Sequence, residues 1–429
     1  MAKPDLTFNH SALGSINGRS NGDLEQFLNI PYGKIPQRFG RAILVDKLPQ
    51  TDEQQPYDAT NIPPASIQPW NSGKMDCEGN QFPFGLMDGY EEFQSEDCLR
   101  LNITMSKLTK PNDSLPVLVF VHGGAFFIGP SSRPYYDPVT LCEEAMKTEC
   151  PHIFVSINYR LGGLGFFHSP DSTHLMPANN GLHDQRVAFD WIERFIGGFG
   201  GDADNITAMS QSAGGMSATT HNLSGKVNVW KRSIQFSGSL VTMPVKSPKG
   251  HQENFLNQAK KLGLDIEQSC EQIAKDMIKL PVDQIRDCGY VGLPCSSTEL
   301  LPYSSASMAH MSRKRLALPS HHIHLKSPLT KTHQAPNPPP LPLPKSCPPQ
   351  PTTAASPTTS SSPPPPAPTT PQPSTKSPHP PSRPPTPAPS WTSTPSTPPT
   401  MTPRRCAKSA SSKATLVSSP LRWRKQEVS

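Results

Sequence analysis

Short apolar runs that end in glycine alternate with segments of helical spacing over the first 300 residues. Residues 7–46 read as short strands and turns, among them Phe27-Leu28-Asn29-Ile30-Pro31-Tyr32-Gly33. Residues 117–121 form a β-rich apolar run ended by His122-Gly123-Gly124, and residues 153–158 a second, followed by Tyr159-Arg160-Leu161-Gly162. Between them, residues 138–149 have the pattern of a helix. After Asn180-Gly181, residues 182–196 place Leu182, Val187, Ala188, Trp191, Ile192 and Phe195 on one helical face, with Asp184 and Gln185 in the first turn. Residues 206–209 and 233–236 are two more short strands, and residues 252–262 and 267–280 are two helices broken at Gly263. Strands alternating with helices predict an α/β protein layered around a largely parallel central sheet. No internal repeat is visible.

The pattern stops near Tyr303. All 28 glycines precede position 301, whereas 32 of the 53 prolines follow position 300. The first 300 residues hold 25 of the 40 Lys+Arg and 33 of the 34 Asp+Glu, so an acidic part precedes a basic one. The overall charge of +6 describes neither part, and gives no ground for a nucleic-acid partner. Residues 304–429 are rich in Pro, Ser and Thr, with too little apolar surface to offset chain entropy, and are expected to be a disordered tail. The expected organisation is therefore a globular part over 1–303 and a tail over 304–429.

The N-terminus lacks a signal-peptide pattern and no apolar stretch has the length of a membrane span, so no membrane association and a cytoplasmic location are expected. The sequons at Asn9, Asn102, Asn112, Asn205 and Asn222 then go unused. Nine cysteines form no CxxC metal pattern, and their odd number predicts mostly free thiols; no metal or organic cofactor is indicated.

The chemistry centres on Ser210-Gln211-Ser212-Ala213-Gly214, close to the Gly-x-Ser-x-Gly pattern of a nucleophile elbow. There a strand turns sharply into a helix and exposes the serine hydroxyl. Ser210 replaces the first glycine and adds a side chain expected to strain the turn. His122-Gly123-Gly124-Ala125, upstream at the end of a strand, has the form of an oxyanion loop. Glycines there let backbone N–H groups converge on developing negative charge.

With these motifs stand Ser95-Glu96-Asp97-Cys98-Leu99-Arg100-Leu101-Asn102-Ile103, Asn158-Tyr159-Arg160-Leu161-Gly162, Asn180-Gly181-Leu182-His183-Asp184-Gln185 and Phe199-Gly200-Gly201-Asp202. In this order, over residues 7–300, the chain resembles the type-B carboxylesterases. That family includes cholinesterase-like and fungal esterases and the non-catalytic neuroligins. The resemblance implies an α/β-hydrolase fold with Ser212 as nucleophile and the N–H groups of Gly123, Gly124 and Ala213 as oxyanion hole. It implies a small-molecule ester substrate and a disulfide between Cys77 and Cys98, with Cys270 and Cys288 as a second pair of suggestive spacing. Asp97, Arg100, Arg160 and Asp184 read as structural ion pairs.

A serine needs a base, and in this fold the partners follow in the order Ser, Asp or Glu, His. Neither partner motif follows Ser212. Most carboxylates of residues 253–299 fall on solvated helix faces and none is assigned to the triad, and His310, His321, His322, His324, His333 and His379 sit in or beside the tail. The fold is thus expected to be incomplete at its C-terminal side, and the esterase weak or inactive. The other readings are a non-catalytic, neuroligin-like binding protein and a non-functional truncated product. For the tail itself, three readings stand. It is a polyproline segment, as at Pro338-Pro339-Pro340-Leu341-Pro342, that docks on Pro-recognising domains. It is an inert extension, or it is the product of a shifted reading frame or mis-splicing.

Overall fold

A computed structural model describes residues 6–49, 55–81, 93–111, 113–224, 230–240, 245–303 and 307. Apart from Ser307, the proposed tail and its histidines lie outside the described residues, as does Asn112.

In chain order the strands are β1 (Leu6–His10), β2 (Gly14–Asn21), β3 (Leu24–Pro31), β4 (Gly33–Lys34), β5 (Ile43–Leu44) and β6 (Tyr57–Asp58), then β7 (Arg100–Ser106), β8 (Leu115–Val121), β9 (Ile153–Ile157), β10 (Gly201–Gln211) and β11 (Arg232–Phe236). The helices are α1 (Ser72–Asn80), α2 (Val139–Lys147), α3 (Gly162–Phe166), α4 (Asn180–Phe195), α5 (Ala213–Leu223), α6 (Pro248–Lys261), α7 (Cys270–Lys279) and α8 (Val282–Asp287). The central sheet runs β1-β2-β3-β7-β9-β8-β10-β11, with β6 beside β2, and β4 pairs with β5.

The sheet is parallel across β9-β8-β10-β11 and antiparallel across β1-β2-β3-β7-β9. The parallel half is the part that sequence alternation predicts. The antiparallel half arises because β1, β2 and β3 follow one another through connections too short for a crossover. Strand β9 (IFVSI) buries all five of its side chains, and β8 (LPVLVFV) buries Val117, Val119, Phe120 and Val121, as parallel strands covered by helices do. Helix α4 buries Leu182, Ala188, Trp191, Ile192 and Phe195 in the main core.

Helix starts correct the sequence boundaries. Helix α6 begins at Pro248, four residues before the predicted start, because Ser247 caps it by accepting from the Gly250 N–H. Helix α7 starts at Cys270 under a Ser269 cap that accepts from the Gln272 N–H. Strand β11 is also unlike its apolar reading, since every residue in it is exposed, including Ile234 at 43% and Phe236 at 51%. Among the described residues it has a neighbour on one side only, β10, and α5 as packing partner.

Of the four charges expected in structural pairs, Arg160 and Asp184 form a buried one. The Asp184 carboxylate accepts from Arg160 Nε (2.8 Å), Nη2 (2.7 Å) and the Arg160 backbone N–H (3.1 Å), while Arg160 Nη1 donates to the Gly40 carbonyl (2.8 Å). Asp97 and Arg100 also pair, but with Asp97 63% exposed, so this one is a surface contact. A buried pair loses more when one partner is removed than it contributes intact, because the survivor is an uncompensated buried charge. Asp184→Ala is therefore expected to destabilise the fold by about 3–5 kcal/mol. Urea denaturation checks this, and a loss under about 1 kcal/mol would mean that the guanidinium finds water or another acceptor.

Candidate active site

Strand β10 ends at Gln211 and helix α5 begins at Ala213, so a single residue makes the turn. That residue, Ser212, has φ 51° and ψ −115°, a region L-residues rarely occupy. Hydrogen bonds on both sides hold it there. Its N–H donates to the Phe236 carbonyl at the end of β11 (2.8 Å), and its carbonyl accepts from Met216 in the first turn of α5 (3.0 Å). Gly238, just beyond β11, packs so closely that a Cβ there would overlap the Ser212 carbonyl. The sequence pattern marks residues 233–236 only as a strand and gives no sign of this support from Gly238.

Ser210 does not strain the turn in the way expected. Its buried side chain faces the neighbouring strand, and the hydroxyl donates to the Ile234 carbonyl (3.1 Å).

The His122–Gly129 loop lies directly against the elbow. A Cβ on Gly123 would sit 2.9 Å from Ser212 Cβ and would overlap the Gln211 carboxamide oxygen. Gly124 has φ 92° and its carbonyl accepts from both Phe127 and Ile128 N–H (2.9 Å each), closing a tight turn. Ala213 opens α5, where first-turn N–H groups have no acceptor within the helix. The structure thus brings Gly123, Gly124, Ser212 and Ala213 together from two distant stretches of chain.

Two features outside the motifs fix the loop. Gln68 accepts from the Gly129 N–H (2.6 Å) and donates to the Gly129 carbonyl (3.1 Å). Buried Arg133 pairs with Asp76 and donates to Ser72 Oγ (3.1 Å). Neither partner is local in sequence, so no spacing signal pointed to them.

His122 belongs to the same framework. Its ring stacks on Tyr159 with centroids 4.5 Å apart, and Nδ1 donates to the Gly123 carbonyl (2.9 Å). Burial pushes its pKa down to about 4, so it is neutral at pH 7. His221, on α5, contacts Gln185 Oε1 through Nε2 (3.0 Å) and is pushed down to about 3 by burial. It sits nine residues along the helix from Ser212, roughly 13 Å at the α-helical rise, beyond proton-transfer reach. Among the described residues the Ser212 hydroxyl has no hydrogen-bond partner. The carboxylates beyond the elbow include Glu271, Asp276 and Asp283, which pair with Lys275, Lys279 and Arg286 on their own helices.

All seven described cysteines are free, Cys77 and Cys98 included, so the implied bridge is not formed in this structure, nor is one between Cys270 and Cys288. Cys98 is fully buried and its thiol pKa is pushed up to about 12 by burial, which keeps it protonated beside Ser66. Among the described residues no group of three or more His, Cys, Asp or Glu could hold a metal ion, and no helix is long and apolar enough to cross a membrane. Asn102 of the second sequon is buried and donates to Ser156 Oγ (3.2 Å).

A model of the carboxylesterase family matches residues 5–304. The para-nitrobenzyl esterase of Bacillus subtilis is 32% identical over 64% of this chain and 52% of its own length. Lipase 3 of Yarrowia lipolytica is 30% identical over 66% of this chain and 56% of its own. An acetylcholinesterase of Bungarus fasciatus is 35% identical over 52% of this chain and 36% of its own. The solved structure of the carboxylesterase EST55 of Geobacillus stearothermophilus superposes with a TM-score of 0.57 at 25% identity, covering 70% of this chain and 57% of that one. This chain spans about half the length of the curated relatives it matches.

Proposed function

The chain belongs to the carboxylesterase family, and from that premise we propose that residues 1–303 carry the acyl-accepting half of a serine ester hydrolase site. Ser212 Oγ is the nucleophile toward the carbonyl of a small-molecule ester. The N–H groups of Gly123, Gly124 and Ala213 receive the negative charge that develops on the carbonyl oxygen. The observation that carries this reading is the backbone of Ser212, held at φ 51° between β10 and α5 with the glycine loop against its Cβ. Such a conformation costs of order 1–3 kcal/mol and persists where it presents a reactive group.

Attack also requires removal of the hydroxyl proton. Among the described residues none hydrogen-bonds to Ser212 Oγ to take it, so what these residues contribute to turnover is positioning and the oxyanion donors. Some hydrolases retain about 10³–10⁴-fold acceleration over water after loss of a triad member. A Pro-recognising domain as partner of residues 304–429 stays a secondary proposal, resting on their prolines alone.

The test is covalent labelling by a fluorophosphonate probe, with Ser212→Gly as the control. Glycine removes the nucleophile and also relieves the φ 51° backbone, so the variant is expected to be about 1 kcal/mol more stable. Labelling of the parent protein that disappears in this variant supports the reading. A cooperatively folded parent that does not label, or a variant that still does, overturns it.

A further inference from the structure

On one face of the sheet, away from the elbow, the strands carry polar side chains where a helix-covered face would be apolar. Gln26 on β3 lies opposite Thr104 on β7, and Asn102 on β7 opposite Ser156 on β9. All four are buried, between 2% and 7% exposed. The other face of the same strands holds Phe27, Ile103 and Val155 of the main core. Above the polar face is a cavity of about 200 Å³ whose walls include Leu28, Phe154 and Tyr136, and neither Ser212 nor the glycine loop. At about 30 Å³ per molecule this is room for roughly seven waters, far more than a packing void.

The hydrogen bonds on that floor are left half used. Gln26 Nε2 donates to Thr104 Oγ1 (3.3 Å), and Asn102 Nδ2 donates to Ser156 Oγ (3.2 Å) and Ser131 Oγ (3.5 Å). Three hydroxyls thus accept, and none donates its own proton to a described residue. Buried donors without acceptors cost about 1–3 kcal/mol each unless something fills the space. The floor bears no charge; of the three charged wall residues, Arg133 is already neutralised by its pair with buried Asp76, and Arg19 (bonded through Nε to Gln26 Oε1, 3.0 Å) and Asp137 add one of each sign.

We propose that this cavity is a second, non-catalytic binding site for an uncharged polyhydroxylated molecule of monosaccharide size. Its oxygens would accept from Thr104, Ser131 and Ser156, with its C–H face against Phe154 and Tyr136. Few convergent polar groups within apolar walls are the usual composition of a small-molecule site. The absence of net charge among its polar groups disfavours an anion.

The test is ligand-observed NMR on the full chain with D-glucose as probe at about 10 mM, the range in which weak sugar binding registers, beside cyclohexanol and inorganic phosphate. Thr104→Val removes one donor while keeping the shape. Ile62→Trp, at an exposed rim position (48%), closes the mouth without touching the core. Glucose binding that falls at least tenfold in Ile62→Trp, and likewise in Thr104→Val where that variant folds, with labelling of Ser212 unchanged, supports the site. It is overturned by absence of glucose binding, by binding that Ile62→Trp leaves intact, by cyclohexanol binding as well as glucose, or by preference for phosphate.

Discussion

Lowering the pH from 7 to about 5 is expected to remove roughly 6 kcal/mol of folding stability, most of what a typical domain has. Three histidines are responsible. Burial pushes His122 and His251 down to about 4 and His221 to about 3. In the unfolded chain each returns to about 6.5. The unfolded state therefore binds more protons throughout this window, and stability falls as pH falls. Above about pH 6.5 all three are neutral in both states and the full stability is present. Below it, each removes about 1.4 kcal/mol per pH unit until its folded-state value is reached. His10, His152 and His168 are lowered in the same direction, also by burial. Each of the three major groups is hemmed in. His122 lies under Tyr159, His221 beside Trp230, and His251 against the ring of His168. Urea midpoints at pH 7, 6 and 5 measure the slope. A decline below about 1.4 kcal/mol per unit between pH 6 and 5 would mean that fewer than two of these histidines stay neutral in the folded state.

The nucleophile turn was legible because its cause is local. Ser212 ends an apolar run and precedes small residues, so strand, tight turn and helix meet there within a few positions. The oxyanion loop was legible for the same reason, as a glycine pair ending a strand. Helix α4 could be read from its apolar face alone. What could not be read depends on contacts distant in sequence. Asp76 and Arg133 are 57 residues apart, and nothing in either neighbourhood specifies the other. Gln68 reaches Gly129 across 61 residues. Helix α3 has three glycines in five residues, a composition against helix, and forms because it is packed on α4 and α8. Strand β7 hides its alternation, since Asn102 and Thr104 are buried on the polar face while Leu101 and Ile103 enter the core. Ser210 was expected to strain the turn, but a serine side chain can turn its hydroxyl to a carbonyl of the adjacent strand.

Gly124 offers the sharpest test of the oxyanion loop, because two independent features there exclude any side chain. Its φ of 92° is strained for an L-residue, and an added Cβ would overlap the Ile128 carbonyl oxygen. Gly124→Ala must therefore open the turn in which the Gly124 carbonyl accepts from Phe127 and Ile128. Opening it displaces the Gly124 N–H group from Ser212, while Gly123 stays packed against Gln211 and Ser212 and Ser212 itself is still held by Phe236 and Met216. Loss of one oxyanion donor reduces acyl-transfer rates by about 10²–10³. The rate constant for fluorophosphonate labelling is expected to fall by that factor, with the elbow and its serine otherwise retained. Gly79→Ala in α1 is the matched control, since a Cβ there meets nothing within 4 Å, and its labelling rate should equal that of the parent. A smaller fall, within about tenfold of the parent for a Gly124→Ala protein that unfolds cooperatively, would mean that the Gly124 N–H contributes little. The charge would then rest on Gly123 and on Ala213 at the N-terminus of α5, where the helix dipole adds its own partial positive charge.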